Sequence, residues 1–285
     1  MFKEKNIHPM LLSEIPFNFS DNYLYEIKFD GIRTIIYASS KCITIKTRNN
    51  IDVTYLFPEL FSIKDLVTKN TIFDGEIVLL ENNKPSFSGL QKRLRIKNKD
   101  KINAASINNP VTFVVFDILY LNKSLLNKKL INKKKILDKF NDTEYFVKSK
   151  VFSDGENLFR SVRDLGLEGI VAKEKTSLYY PNIRTKEWIK LKNIKQDYFY
   201  IGGFIKNKIS YSLLLGEIHN NKLYYVGKLK VSNKSDILSI VLKEKITPNN
   251  FVNYSKNGKF IKPRIKIKIN YLEKTKGNML RHPFI

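Results

Sequence analysis

Glu26-Ile27-Lys28-Phe29-Asp30-Gly31-Ile32-Arg33 sets one lysine among residues suited to forming a covalent bond with a nucleotide phosphate. A lysine amine with a pKa of about 10.4 is almost wholly protonated at neutral pH and cannot attack phosphorus until a neighbour lowers that value. Arg33 is a candidate, since a nearby cation disfavours the ammonium, and it could also hold a phosphate or ribose. Asp30 could orient the amine, and Gly31 permits a tight turn or a close backbone approach. The competing reading makes residues 25–37 an ordinary strand pair, with Leu24, Ile27, Ile32, Ile35 and Ile36 buried and Lys28 exposed at the turn.

The reading of Lys28 as a nucleophile needs companions, and the sequence supplies them in order. Thr47-Arg48-Asn49-Asn50 places an arginine at a strand exit, where it could hold a phosphate. Phe73-Asp74-Gly75-Glu76-Ile77-Val78 puts two carboxylates at alternate positions of a strand, hence on one face, where either could take a ribose hydroxyl or a metal. Phe116 lies in an apolar strand-like run, 113–119, and could be core or a stacking platform for a base. Glu168-Gly169-Ile170-Val171-Ala172-Lys173 adds a carboxylate at a strand start. In Trp188-Ile189-Lys190-Leu191-Lys192, Lys190 and Lys192 share a face opposite Ile189 and Leu191. Two cations there could neutralise a phosphate and depress the pKa of Lys28.

The chain has 285 residues, 42% of them hydrophobic, enough for one large domain or two modest ones. Its net charge of +24 exceeds what solubility requires and points to a polyanionic partner, nucleic acid first. Part of that charge reflects a composition rich in Lys, Asn and Ile, and Lys128-Lys129 and Lys133-Lys134-Lys135 read as a solvated helix face. No apolar run approaches the ~20 residues of a spanning helix and no signal-peptide segment opens the chain, so a cytoplasmic, bacterial cytosol or nucleoid, location is expected. The single Cys42 excludes a disulfide framework and a multi-cysteine zinc site, and His8, His219 and His282 lie far apart.

Residues 1–22 read as an extended lead-in with a short apolar contact and no separate domain. From 23 to about 193, strand-like runs (25–28, 34–38, 43–47, 71–79, 111–119, 169–173, 188–192) alternate with helix-like segments near 58–68, 86–95, 124–140 and 156–166. After Lys195 the pattern becomes short β-type runs at 198–205, 212–218, 222–228 and 265–271. They are separated by turns at Asn207-Lys208, Asn220-Asn221 and Asn257-Gly258 and interrupted by a helix around 233–243. The expectation is an α/β (α+β) domain over 1–194 followed by a small all-β barrel over 195–285.

Taken together, the ordered elements from Lys28 to Lys192 resemble the nucleotidyltransferase motifs of ATP-dependent DNA ligases. Tyr271 to Thr275 and Leu280-Arg281-His282-Pro283-Phe284 are similar to the barrel end of the ligase domain of bacterial end-joining ligases. The resemblance spans nearly the whole chain. It implies an adenylation domain with antiparallel sheets at 1–194 and an OB-fold at 195–285. It also implies ATP as cofactor, carried as AMP on Lys28, with Mg²⁺ or Mn²⁺. Glu26 and the backbone of Ile27 would lie near the adenine, Phe116 would stack on it, and Lys173 would join the nucleotide site. Arg33 and Glu76 would hold the ribose side and Arg48 a phosphate. Glu168, with Glu76, would place the metal, and Lys190 and Lys192 would contact the α-phosphate.

The expected partners are nicked or broken duplex DNA and Ku-like or repair polymerase proteins, with the enzyme a monomer off the membrane. The family pattern continues to an Arg-x-Asp-Lys motif that the sequence to Ile285 does not contain, so the expectation is either that Arg281 or neighbouring lysines substitute or that self-adenylation is slow while sealing from the adenylated enzyme survives. The alternatives are an RNA-end-modifying nucleotidyltransferase, which would share the lysine motif, and a non-catalytic nucleic-acid-binding module.

Overall fold

The computed structural model describes residues 1–82, 84–275 and 277–285. It divides into two compact units, Met1–Lys192 and Asn193–Ile285.

The first unit contains β1 (Leu11–Ser13), β2 (Tyr23–Ile27), β3 (Ile32–Ala38), β4 (Ile43–Thr47), β5 (Thr71–Glu81), β6 (Lys84–Pro85), α1 (Phe87–Leu94), α2 (Lys99–Asn108), β7 (Val111–Leu121), α3 (Leu130–Leu137), β8 (Phe146–Lys148), α4 (Gly155–Asp164), β9 (Gly169–Glu174) and β10 (Arg184–Lys192). One sheet has the order β1-β10-β9-β2, the other β4-β3-β5-β7-β8 with β6 on β5. Pairing is antiparallel except for β1 with β10 and β7 with β8.

The period-two alternation of strands sorts the second sheet's side chains onto two faces. Ile36, Ala38, Phe73, Ile77 and Val115 join Leu60, Ile63, Leu90 and Ile102 in one cluster, under α1, α2 and a 3₁₀ segment at Pro58–Leu66. Ile35, Tyr37, Ile72, Phe116 and Leu119 face the other way, onto Met10, Leu24, Tyr179 and Trp188, so this cluster joins the two sheets. Helix α4 covers the first sheet through Leu158 and Val162, against Tyr25, Ile170 and Ala172.

Three sequence expectations change. Strands β2 and β3 are not a hairpin: β2 pairs with β9, and β3 with β4 and β5, so residues 28–31 carry the chain from one sheet to the other. The helix expected over 124–140 is confined to Leu130–Leu137, and Lys133 and Lys134 are buried rather than solvated, while Lys128, Lys129 and Lys135 are exposed. Helix α2 was not foreseen, because Ile102 is its single buried residue and leaves no apolar period to read.

Among its described residues the second unit is all-β but for one short helix: β11 (Lys195–Lys206), β12 (Ser210–His219), β13 (Lys222–Ser232), α5 (Asp236–Val241), β14 (Ile246–Thr247), β15 (Lys259–Ile261) and β16 (Lys266–Tyr271). The sheet runs β13-β12-β11-β15-β14, and β16 pairs with the first half of β11. Asn220 and Asn221 both take positive φ, 49° and 60°, as a two-residue hairpin turn requires. The unit has the makings of an OB-fold, although its ladders among the described residues form an open path rather than a closed ring. Its core gathers Phe199, Leu213, Val226, Leu238, Ile269 and Leu280.

Candidate active site

Lys28 sits where the chain crosses between sheets. Its backbone N–H donates to the Gly169 carbonyl at 2.9 Å, and its Nζ lies 2.7 Å from Glu168 Oε1. A Cβ on Gly31 would stand 2.2 Å from the Ile77 carbonyl oxygen, so only glycine lets this crossing lie against β5. Gly169, at φ 151°, is equally tight: a Cβ there would be 2.1 Å from the Leu191 carbonyl oxygen. Lys28 is nonetheless 21% exposed, hence reachable by a ligand.

The crossing borders a cavity of about 580 Å³, in the range of small-molecule sites, with Lys28, Arg33, Arg48, Glu76, Arg184 and Lys190 in its wall. The lead-in also contributes, through Pro9 to Leu12, because β1 docks parallel to β10. Arg33 is held by a bidentate pair with the buried Asp74, at 2.6 and 2.7 Å, and the Tyr179 hydroxyl donates to the same carboxylate at 2.6 Å. Burial opposes the guanidinium charge, but Asp74 outweighs it and raises the Arg33 pKa. Glu76, opposite Arg33 in the β3–β5 register, is pushed up to about 8 by burial against the pull of Arg33 and Lys28.

A second, narrower recess of about 40 Å³ adjoins the first, bordered by Glu26, Ile27, Phe116 and Lys173 as well as Lys28, Arg33 and Glu76. The Arg33 guanidinium and the Lys173 ammonium both lie 4.2 Å from the centre of the Phe116 ring. Glu26 is 2% exposed and receives Lys134 at 2.6 Å and Lys173 at 3.0 Å, both on Oε1. Burial drives its carboxyl up, yet the two ammonium groups prevail and hold it below the usual carboxylate range. Burial brings Lys173 down to about 8, with Glu26 acting in the opposite sense.

Two contacts differ from the sequence reading. The partner of Lys28 is an anion, Glu168. Lys190 and Lys192, expected to depress its pKa, both pair with Glu14, at 3.0 and 2.9 Å. Lys192 and Asp30 are not in the wall of either cavity, whereas Lys190 is.

Asp74, which the sequence offered with Glu76 for a ribose hydroxyl or a metal, instead holds Arg33. Tyr179 and Glu14 were not read as site residues and Lys134 was read as solvated, because they reach the site over long sequence separations with no local signature. No group of three metal-binding side chains occurs among the described residues. Glu76 and Glu168, both close to Lys28, suit a cation such as Mg²⁺ that would displace the Glu76 proton, take few protein ligands and complete its shell with water and substrate phosphate.

Comparison with known proteins gives the family and the fold. Residues 9–192 match the ATP dependent DNA ligase domain. The SPbeta prophage-derived DNA ligase-like protein LigB of Bacillus subtilis is 32% identical over 213 residues, covering 73% of this chain and 75% of that protein. The multifunctional non-homologous end joining DNA repair protein LigD of Mycobacterium tuberculosis is 28% identical over 302 residues, covering 99% of this chain and 38% of that protein. The chain thus spans well under half the length of that relative. The solved ligase domain of M. tuberculosis LigD superposes with a TM-score of 0.61 at 25% identity, covering 98% of this chain and 93% of that one. The chain belongs to the ATP-dependent DNA ligase family, within the covalent nucleotidyltransferases.

Proposed function

We propose that this chain seals breaks in duplex DNA through an AMP carried on Lys28. The observation that carries the proposal is the placement of Lys28, Arg33, Glu76 and Lys190 around one nucleotide-sized cavity, with Glu168 on the lysine amine. In the first step Lys28 Nζ attacks the α-phosphorus of ATP. A P–N bond forms, the bond to the β-phosphate oxygen breaks, pyrophosphate leaves, and Glu168 stands ready to accept the amine proton. In the second, an oxygen of a DNA 5′-phosphate displaces the lysine, which recovers a proton. In the third, the 3′-hydroxyl attacks that 5′-phosphorus and AMP departs.

Positioning and charge neutralisation supply most of the catalysis in such transfers. Glu26 and Ile27 would border the adenine, Phe116 and Lys173 would line its pocket, and Arg33 and Glu76 would hold the ribose. Arg48, Lys190 and Lys192 would take phosphate oxygens, so Glu14 must yield its two lysines as the nucleotide enters. Asp30 would orient the crossing segment. Glu76 and Glu168 would hold Mg²⁺ or Mn²⁺, which when bound neutralises the polyphosphate.

In this reading residues 1–194 form the adenylation domain, and the OB-fold at 195–285 grips the duplex without reading its sequence. The substrate is nicked or broken DNA in the bacterial cytosol, handled by a monomer that receives ends from Ku-like or polymerase partners. No helix among the described residues is long and apolar enough to cross a membrane.

Incubation with α-labelled ATP, Mg²⁺ and a singly nicked duplex, resolving adenylated protein, adenylated DNA and sealed product, tests the proposal. Lys28→Ala is expected to abolish acid-labile labelling. Persistent labelling of that variant, or labelling by GTP but not ATP, would overturn it.

A further inference from the structure

Helix α3 carries two buried lysines, and each is spent on β7. Lys133 Nζ pairs with Asp117 at 2.6 Å, both side chains fully enclosed. Lys134 Nζ donates to the Phe116 carbonyl at 2.7 Å and also pairs with Glu26 at 2.6 Å. Burying an ammonium is costly unless its contacts are well made, so a lysine 7% exposed with two such acceptors is a built feature.

Its location is informative. In the β5–β7 ladder Asp74 faces Asp117 and Gly75 faces Val115, so Phe116 is the extra residue of a β-bulge with no partner across the ladder. A bulge re-aims the side chain it carries. Glu26 belongs to β2, in the other sheet, two residues before Lys28. One ammonium therefore ties the strand that leads to the nucleophile to the bulge that turns Phe116 into the recess.

We propose that Lys134 is a positioning residue for the nucleobase, fixing the Glu26 carboxylate and the Phe116 bulge so that the recess selects a base bearing an exocyclic amine. The inference rests on the nucleotide site proposed above. An ionised carboxylate only accepts hydrogen bonds, so it favours an amino group and opposes a keto oxygen at the same position. Lys134 and Lys173 both contact Oε1 and the Ser149 side chain also hydrogen-bonds this carboxylate, which with about four acceptor sites on its two oxygens still has room for one more donor.

The test compares protein adenylation by ATP with adenylation by purine riboside triphosphate, which lacks the 6-amino group. Lys134→Met is expected to raise the KM for ATP about tenfold, roughly the worth of one hydrogen bond to a charged group. Its turnover should stay nearly unchanged, and its preference for ATP over the analogue should collapse. Lys134→Arg, which keeps the charge, should retain the preference.

A folded Lys134→Met protein with the wild-type preference, or a folded Lys134→Arg protein without it, would overturn the proposal. If the methionine variant does not melt cooperatively, Lys134→Gln is read by the same criteria, since it can still donate to Phe116 without the charge. Glu26→Gln separates the two layers: if it leaves the preference intact, the base does not lie at Glu26 and the site reading itself has failed.

Discussion

At the residue scale, the site combines one cation fixed by an anion and one anion fixed by two cations. Arg33 is locked by Asp74, which Tyr179 steadies, and Glu26 by Lys134 and Lys173, so losing Asp74 or both lysines would leave a buried charge poorly compensated. Glu76 is different, because burial raises its pKa to about 8 despite Arg33 and Lys28. A carboxyl whose folded pKa exceeds its unfolded value binds more protons in the native state. Its contribution to stability is complete below about pH 4.5 and is lost as pH rises through about 8. Glu76→Gln removes that titration, so its stability should match wild type more closely near pH 5 and exceed it near pH 8.5. Thermal melts at the two values check this, and parallel pH profiles for both proteins would refute the assignment.

At the element scale, the decisive feature is the crossing from β2 to β3. An alanine at position 31 would drive its methyl group into the Ile77 carbonyl, so Gly31→Ala should move the crossing away from β5. The expected cost is roughly 1–3 kcal/mol in urea unfolding, with protein adenylation falling much further than stability, since Lys28 rides on that segment. An alanine variant with wild-type adenylation would show that the approach to β5 is dispensable.

What was legible in the sequence follows from this scale. The motif residues could be found because strand alternation fixes which side chains share a face, as for Lys190 and Lys192 or Asp74 and Glu76. Alternation does not say which strands are neighbours, so β2 and β3 could be mistaken for a hairpin although they belong to different sheets. Nor does lysine content say where a helix points: Lys133 and Lys134 reach carboxylates on β7 and β2 that no local spacing announces. The bond of Lys192 to Glu14 spans 178 positions and was equally invisible.

At the scale of the whole molecule, the 51 lysines and arginines include buried ammonium groups, Lys133 and Lys173 among them, each paired with an interior carboxylate and so adding nothing to the net charge of +24. The excess that remains is available to phosphates. Binding to a nicked duplex should therefore fall steeply with salt, by about 10³–10⁵ between roughly 50 and 200 mM if six to ten phosphates are contacted, and little with sequence. Titration of fluorescent nicked duplexes of unrelated sequence at several salt concentrations measures both. A shallow dependence would mean that the basic surface is compositional rather than functional.

The arrangement of the sheets also bears on how the enzyme comes into being. The strand leading to Lys28 finds its neighbours in β9, and Lys173 bonds Glu26 across 147 positions. Long-range pairing of this kind is slow to form. During synthesis Lys28 leaves the ribosome before the carboxylate and the strand that hold it, which follow more than a hundred residues later. On the proposed reading, the lysine is thus made before the groups that would arm it, and a half-made chain would lack a complete nucleotide site.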